Sequence, residues 1–317
     1  VYYVLSDDKS EVNPARYYTV HIDVFDESLD DGDVTFVDVT FLKDHKGKLY
    51  EEGTIDPEGI NMLTPGQLFI SSEGDEFTGP PIDPAVGRYN RSGKLNRALP
   101  VPDKFLYSVD DGNNVRDNLA FESLTSTPNR RYLVTASEQA LENEGPMTTV
   151  VTDTMGTSPS RVLLFDARKK QPRQEYVYCV GPIPVGEGAG DNGLVELVAL
   201  DNHGTLLAME RSFVPGFGNT VKLFETSTRG AKDVSGITAL NWDGCKPSEN
   251  GVMARDFVAD FAADFGVQPD NLEGMTLGPK LSDGRYLLIV VSDNNFNWPW
   301  QPTTQFIALA VELGYAD

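Results

Sequence analysis

Asp56-Pro57-Glu58-Gly59-Ile60, a turn at Thr64-Pro65-Gly66, and then Gln67-Leu68-Phe69-Ile70-Ser71-Ser72-Glu73 form a unit that the chain repeats. The second copy is Asn118-Leu119-Ala120-Phe121-Glu122-Ser123-Leu124, with Arg131-Tyr132-Leu133-Val134-Thr135-Ala136-Ser137-Glu138. The third is Val195-Glu196-Leu197-Val198-Ala199-Leu200, with Thr205-Leu206-Leu207-Ala208-Met209-Glu210-Arg211. The fourth is Asn271-Leu272-Glu273-Gly274-Met275, with Arg285-Tyr286-Leu287-Leu288-Ile289-Val290-Val291-Ser292-Asp293. A partial copy, Tyr2-Tyr3-Val4-Leu5-Ser6-Asp7-Asp8, opens the chain. Each copy has an early Glu, a turn rich in Gly, Pro, Asn or Asp, a strand-length apolar run, and a carboxylate where the run ends.

Antiparallel units that recur and close on themselves describe a β-propeller. The end-strand acids Asp7, Glu73, Glu138, Glu210 and Asp293 are 66, 65, 72 and 83 residues apart. A blade typically takes about 40 to 50 residues, so these spacings call for long loops or cryptic blades, and five or six blades are expected. An open β-sandwich is the alternative architecture, but it gives no reason for one acid to recur at one strand position. Other strands are read at Thr19–Phe25 and Val34–Phe41 from their alternation. One short inserted helix is expected near 253–265, where Phe257, Phe261 and Phe265 are spaced four apart before Gly266 and Pro269. Val1–Leu5 reads as the middle of a strand, so residues 1–317 are expected to be a single domain that lacks its natural N-terminal strand.

The chain has 317 residues, a formal net charge of −22 and a sequence pI near 4.4. That balance excludes nucleic acid as a natural partner, since phosphates need Lys and Arg, and it favours cations. The longest apolar runs, such as Leu287–Val291, are far shorter than a membrane span. Cys179 and Cys245 are the only cysteines. They can pair or both stay free, so they leave the compartment open.

A propeller gathers equivalent strand ends at one mouth of its channel. The candidates for that mouth are Asp7, Glu58, Glu73, Glu122, Glu138, Glu196, Glu273 and Asp293, with Glu210 in the same series. Like charges at close range stay ionised only when something compensates them. Ca²⁺ is the natural candidate because it takes six to eight hard oxygen ligands. The bland reading stands beside it: each Glu accepts backbone N–H hydrogen bonds from the next blade and locks the ring. Other chemistries are weakly supported. No Gly-x-Ser-x-Gly elbow and no Cys-x-x-Cys is present, and His21, His45 and His203 read as surface positions. Gly188-Ala189-Gly190-Asp191-Asn192-Gly193 matches a phosphate-loop pattern only formally, with no βαβ context. Trp298-Pro299-Trp300 is a stacking platform or simple loop packing.

The pieces Leu5-Ser6-Asp7, Asp56-Pro57-Glu58-Gly59-Ile60, Ile70-Ser71-Ser72-Glu73, Arg116-Asp117-Asn118-Leu119-Ala120-Phe121-Glu122, Glu210-Arg211, Asn271-Leu272-Glu273-Gly274 and Ser292-Asp293-Asn294-Asn295 resemble the phytase-like β-propeller family, named for the esterase-like activity of phytase. The resemblance runs from Val1 to Leu313, without the family's Gly-Leu-Ser-like opening. It implies a secreted or periplasmic protein (lumenal in a plastid or cyanobacterium). It also implies a Ca²⁺-dependent hydrolase of small-molecule phosphoesters or related esters. On that analogy the catalytic candidates are Glu73, Glu210, Arg211 and Glu273, and the substrate contacts are Arg116, Arg211 and Asn294. Lys104 completes a basic set sparser than phytate binding uses. A non-catalytic propeller that binds a protein partner or ligand is the competing expectation. A lactonase-like Ca²⁺ enzyme using Asn118, Asn271 and Asn294 is a third.

Overall fold

A computed structural model describes residues 1–24, 28–109, 114–149, 156–185, 190–242 and 251–313. Among them, eighteen strands fall into five antiparallel sheets arranged as the blades of a propeller. Blade I holds β1 (Tyr2–Ser6), β2 (Arg16–Ile22) and β3 (Val34–Phe41). Blade II holds β4 (Pro57–Thr64), β5 (Gln67–Ser72), β6 (Ala85–Tyr89) and β7 (Leu95–Ala98). Blade III holds β8 (Thr125–Ser126), β9 (Tyr132–Ala136), β10 (Ser158–Asp166) and β11 (Gln171–Val180). Blade IV holds β12 (Asp191–Ala199), β13 (Thr205–Val214), β14 (Gly218–Ser227) and β15 (Ala254–Asp260). Blade V holds β16 (Asn271–Lys280), β17 (Tyr286–Asp293) and β18 (Phe306–Val311). In every sheet the strands follow one another in chain order, so each blade is a simple meander.

The ring is held by apolar side chains that alternate strands present to neighbouring blades. Tyr17 and Leu42 of blade I pack with Leu68, Ile70 and Tyr89 of blade II. Phe69 and Val86 meet Phe121, Leu133, Leu163 and Phe165 between blades II and III. Val134, Val162 and Tyr178 meet Leu194, Leu197, Ala208 and Phe224 between III and IV. Met209, Val221 and Leu223 meet Leu272, Leu288 and Val290 between IV and V. The ring closes where Val20 and Ile22 of blade I pack against Leu287 and Ile289 of blade V.

The expected short helix is present at the end of its window. α1 spans Phe261–Phe265, with Asp260 accepting hydrogen bonds from the Ala262 and Ala263 amides and Gly266 closing it at φ 66°. The residues before it are strand β15, because they pair with Lys222–Ser227 of β14. The phenylalanine spacing serves two elements: Phe257 stacks edge-on with Phe224, and Phe261 with Phe265. A 3-10 turn spans Asp103–Phe105.

Candidate metal centre

The hairpin geometry of each blade brings the two acid series together. In an antiparallel pair the start of the first strand lies beside the end of the second. Pro57 pairs with Ser72, Phe121 with Ser137, and Asn271 with Asp293. Glu58 and Glu73, Glu122 and Glu138, and Glu273 and Asp293 therefore converge at one mouth of the channel. A second device aims them. The β4–β5 and β16–β17 ladders each carry a bulge at the early Glu, between Pro57 and Ile60 and between Leu272 and Gly274. A bulge inserts one extra residue and re-aims its side chain, here Glu273 and its blade II counterpart. Gly59 permits the approach of neighbouring blades, since a Cβ there would sit 2.5 Å from Ser71 Oγ and 2.6 Å from Leu124 N.

Blade IV is one residue out of step with the alignment made from sequence. Leu194 pairs with Glu210 and Gly193 with Arg211, with the bulge following at Val195. Arg211 thus stands where Glu73, Glu138 and Asp293 stand in their blades, and Val195 takes the early-Glu place. A one-residue shift in a strand turns a side chain to the opposite face. Glu210 accordingly faces into the blade. It accepts from Tyr178 Oη at 2.7 Å, Asn192 Nδ2 at 3.0 Å and Arg255 at 2.6 and 2.8 Å. Glu196 lies deeper in the channel, where the backbone N–H of Leu197 donates to it at 2.8 Å, and no carboxylate perturbs it.

At the mouth, carboxylate oxygens of Asp7, Asp56 and Glu58 lie within 4.8 Å of one another. Asp56 had no place among the sequence candidates, although it directly precedes Pro57-Glu58. Its signal is in the ladder, where its carbonyl accepts the Glu73 amide at 3.0 Å. Lys9 Nζ approaches Asp56 Oδ2 at 2.7 Å, and burial raises the Asp56 carboxyl while hydrogen bonds with Lys9 and Glu58 oppose it.

Burial dominates the electrostatics, and mutual repulsion adds to it. Burial, then Asp56, Asp293 and Glu273, push the Asp7 carboxyl well above its ordinary range, with Lys9 opposing. Burial, then Asp7, Glu122, Asp56 and Glu73, do the same to Glu58. Glu73 is raised by burial, Asp56 and Glu138. Glu122 is raised by burial, Glu73, Glu138 and Glu273. Glu138 is pushed up to about 7, mainly by burial, with Arg211 opposing. Glu273 and Asp293 are raised first by burial as well. The compensating cations are Lys9 and Arg211. Arg211 Nη2 donates to Glu273 Oε1 at 2.9 Å, and its Nη1 lies 3.5 Å from Asp191 Oδ1. Burial works against the Arg211 charge, but Glu273, Glu138, Asp191 and Glu122 hold its pKa above normal.

Two of the basic candidates are engaged elsewhere. Arg116 donates to the carbonyls of Ala140, Glu142 and Gly145. Lys104 is buried, paired with Glu175 at 3.1 Å and bonded to the Ser235 and Ile237 carbonyls. Asn294 lines the channel, its Oδ1 accepting the Phe296 amide at 3.1 Å. His21, His45 and His203 are exposed, as expected. Trp298 and Trp300 are 77% and 82% exposed, so they do not pack in a core. Asp191, Asn192 and Gly193 of the phosphate-loop-like stretch open strand β12, while Gly188 and Ala189 lie outside the described residues. Cys179 is disulfide-bonded; Cys245, the other cysteine, lies outside the described residues.

Fold and site together define a five-bladed propeller with an acidic channel mouth and the hard-oxygen donor set that suits Ca²⁺. The chain belongs to the phytase-like family described as "Esterase-like activity of phytase", whose profile matches residues 1–296. No curated protein matches. Among solved structures, the chain is similar to an endo-arabinase from Bacteroides thetaiotaomicron at 10% identity, covering 98% of this chain and 93% of that one, with a TM-score of 0.43. It is similar to the periplasmic gluconolactonase PpgL of Pseudomonas aeruginosa at 12% identity, covering 99% and 83%, with a TM-score of 0.36. The Dos1 propeller is similar at 11% identity and a TM-score of 0.34; the match covers 95% of this chain and 64% of the length of that one.

Proposed function

We propose that the protein is a Ca²⁺-dependent hydrolase of phosphoesters or related esters, working at the acidic mouth of the channel. The observation that carries this reading is the approach of the Asp7, Asp56 and Glu58 carboxylates to within 4.8 Å of one another, with Asp56 paired to Lys9. Three hard-oxygen groups held together against their own repulsion fit a divalent cation, and Asp7, Asp56 and Glu58 are the residues that would hold it. A bound Ca²⁺ supplies charge neutralisation for an anionic substrate and Lewis-acid polarisation. Arg211 contributes guanidinium donors on the opposite side of the ring and orients an anionic group. Glu138, with its pKa near 7, holds or releases a proton at neutral pH, as a general acid or base must. Glu73, raised by burial and by Asp56, lines the same mouth, and Glu273 positions Arg211. In this reading Glu210 braces the blade. The Cys179 disulfide supports an oxidising compartment, extracellular or periplasmic.

A second reading has its own support. Glu73 Oε1 accepts the Ala120 amide of the next blade at 2.6 Å, and the Glu138 carbonyl accepts the Leu194 amide at 3.1 Å. These bonds lock blade II to III and III to IV, as a non-catalytic scaffold would require. The two readings separate in one experiment. The purified protein is screened against phosphoester, carboxyl-ester and lactone substrates, with Ca²⁺ and with chelator. Turnover that Ca²⁺ restores and that falls in Glu73→Gln and Arg211→Ala supports the hydrolase. No turnover in Ca²⁺, with both substitutions altering stability alone, leaves the scaffold.

A further inference from the structure

β1, β5, β9, β13 and β17 run toward the acidic mouth and reach it at Asp7, Glu73, Glu138, Arg211 and Asp293. The loop that follows each strand therefore lies on the mouth face of the ring. Every one of these loops exposes a large apolar side chain: Val12 in blade I, Phe77 in II, Met147 in III, Phe217 in IV, and Trp298 and Trp300 in V. Phe77 is 81% exposed and Phe217 67%. Among the described residues, the turns at the other end of the channel, such as 64–66, 128–131, 200–204 and 282–285, hold no exposed large apolar side chain. Single exposed apolar residues are ordinary, but their segregation to one face is not. The mouth-face loops are also built structures. The Val12 amide donates to Asp8 Oδ1 at 3.1 Å and the Phe77 amide to Asp75 Oδ1 at 2.8 Å. The Phe217 amide donates to the Val214 carbonyl at 2.9 Å and the Trp300 amide to the Asn297 carbonyl at 2.8 Å. Each backbone is satisfied within its own loop while the side chain stays in solvent.

We propose that the mouth face is an interfacial docking surface for a zwitterionic lipid layer, whose head groups it brings to the acidic site. Three observations select this occupant. The apolar tips come from all five blades and encircle the mouth, so one extended surface reaches them all, whereas a small ligand in the mouth would touch one or two. The tips stand beside charges, as in Glu11-Val12 and Glu76-Phe77, with both glutamates exposed. The core of a protein–protein interface is depleted of charged residues, while a fluid lipid surface accepts each apolar tip separately and leaves its charged neighbours at the head groups. Trp and Phe are the side chains that settle at that level. The third observation is charge. A chain of net charge −22 is repelled by anionic lipid. A phosphocholine or phosphoethanolamine surface instead offers an ammonium group to the ring of carboxylates and to the Trp298 and Trp300 rings. The proposal rests on the hydrolase reading only for the substrate class, which becomes the phosphoester head group of a lipid; docking itself needs no turnover.

Vesicles test this directly. The protein in chelator is mixed with vesicles of phosphatidylcholine, of brominated phosphatidylcholine, and of phosphatidylcholine mixed equally with phosphatidylglycerol. Phosphatidylcholine should shift the tryptophan emission to the blue, and the brominated lipid should quench it. The third tryptophan, Trp242, packs with the cluster of Val177 and Cys179 and should remain unquenched. Co-sedimentation with phosphatidylcholine should fall by about tenfold or more in a Phe77→Ser, Trp298→Ser, Trp300→Ser variant, since binding scales with buried apolar area. These side chains are exposed, so the thermal midpoint of the variant should match that of the parent. Absence of quenching, equal sedimentation of parent and variant, or affinity that rises with phosphatidylglycerol content overturns the proposal. Adding Ca²⁺ and measuring head-group release separates it from the hydrolase reading. Turnover of soluble phosphoesters without vesicle binding overturns the docking surface and spares the hydrolase. Vesicle binding without turnover of any phosphoester sustains the docking surface and counts against the hydrolase.

Discussion

Arg211 Nη2 donates to Glu273 Oε1 at 2.9 Å, joining the second strand of blade IV to the first strand of blade V across the channel mouth. Every equivalent strand end in the other blades carries an acid, so this arginine is the ring's internal counter-charge. Arg211→Ala leaves Glu273, Glu138 and Glu122 uncompensated. Breaking a largely buried pair from one side costs about 3–5 kcal/mol. Chelator-treated protein is therefore expected to lose that much stability in urea at pH 8. It should lose clearly less at pH 5.5, below the value of about 7 to which Glu138 is raised. An equal loss at both pH values would show that Arg211 acts by packing alone.

The channel also sets the pH dependence of the Ca²⁺-free protein. Glu138 is raised to about 7 and Glu196 to about 8, mainly by burial, whereas an unfolded Glu titrates near about 4.3. Between these values the folded state binds more protons than the unfolded one, so stability falls as pH rises. Urea midpoints in chelator should decline from pH 5.5 to pH 8, opposite to a protein dominated by carboxylates in salt bridges. Glu196→Gln should flatten the upper part of that decline. A midpoint that climbs over this range contradicts the burial of ionisable Glu in the channel.

The sequence carried the fold well because its signal is redundant. The apolar runs ending at Glu73, Glu138 and Asp293 each become the second strand of a blade, and five copies become five blades. Glu58, Glu73, Glu122, Glu138, Glu273, Asp293 and Asp7 converge because a hairpin places strand starts beside strand ends. The third copy, which forms blade IV, is out of step for a physical reason. Its strands hold Glu196 and Glu210 one residue away from the acid positions of other blades, and only the ladder pairing Gly193 with Arg211 fixes the register. Composition cannot distinguish two adjacent polar residues in a strand, yet they face opposite sides. Asp56 was missed for a related reason. It precedes β4, and only the tertiary approach of Asp7 gives it a role.

Glu210 provides a direct check of that register. Its carboxylate ties Tyr178, Asn192 and Arg255 together, and the Arg255 guanidinium lies 3.6 Å over the Phe224 ring. Glu210→Gln should cost about 3–5 kcal/mol by unpairing Arg255 in a mostly buried site. Calorimetric Ca²⁺ affinity should stay within about twofold of the parent, since the group faces away from the channel. A large drop in Ca²⁺ affinity with little loss of stability would place Glu210 in the ring after all.

The strongest test of the metal centre exploits the cost of holding it together. Asp7 and Glu58 are raised well above the ordinary range, first by burial and then by neighbouring acids, Asp56 and Asp293 for Asp7 and Asp7 and Glu122 for Glu58, so without a cation they work against folding. Asp7→Asn and Glu58→Gln remove a charge and change little volume. Each should raise the thermal midpoint of chelator-treated protein near neutral pH. Each should also weaken Ca²⁺ binding by about tenfold or more, equivalent to about 1.4 kcal/mol. The parent should gain about 2.7 kcal/mol at a Ca²⁺ concentration one hundred times its Kd, and the variants should lose most of that gain. Asp56 is left intact in this comparison because it also pairs with Lys9. The two effects have opposite signs, which separates a metal site from a structural one. A carboxylate that only braced the blade would lower stability on neutralisation and leave the Ca²⁺ response unchanged. If Asp7→Asn and Glu58→Gln behave that way, the cation is held elsewhere or not at all.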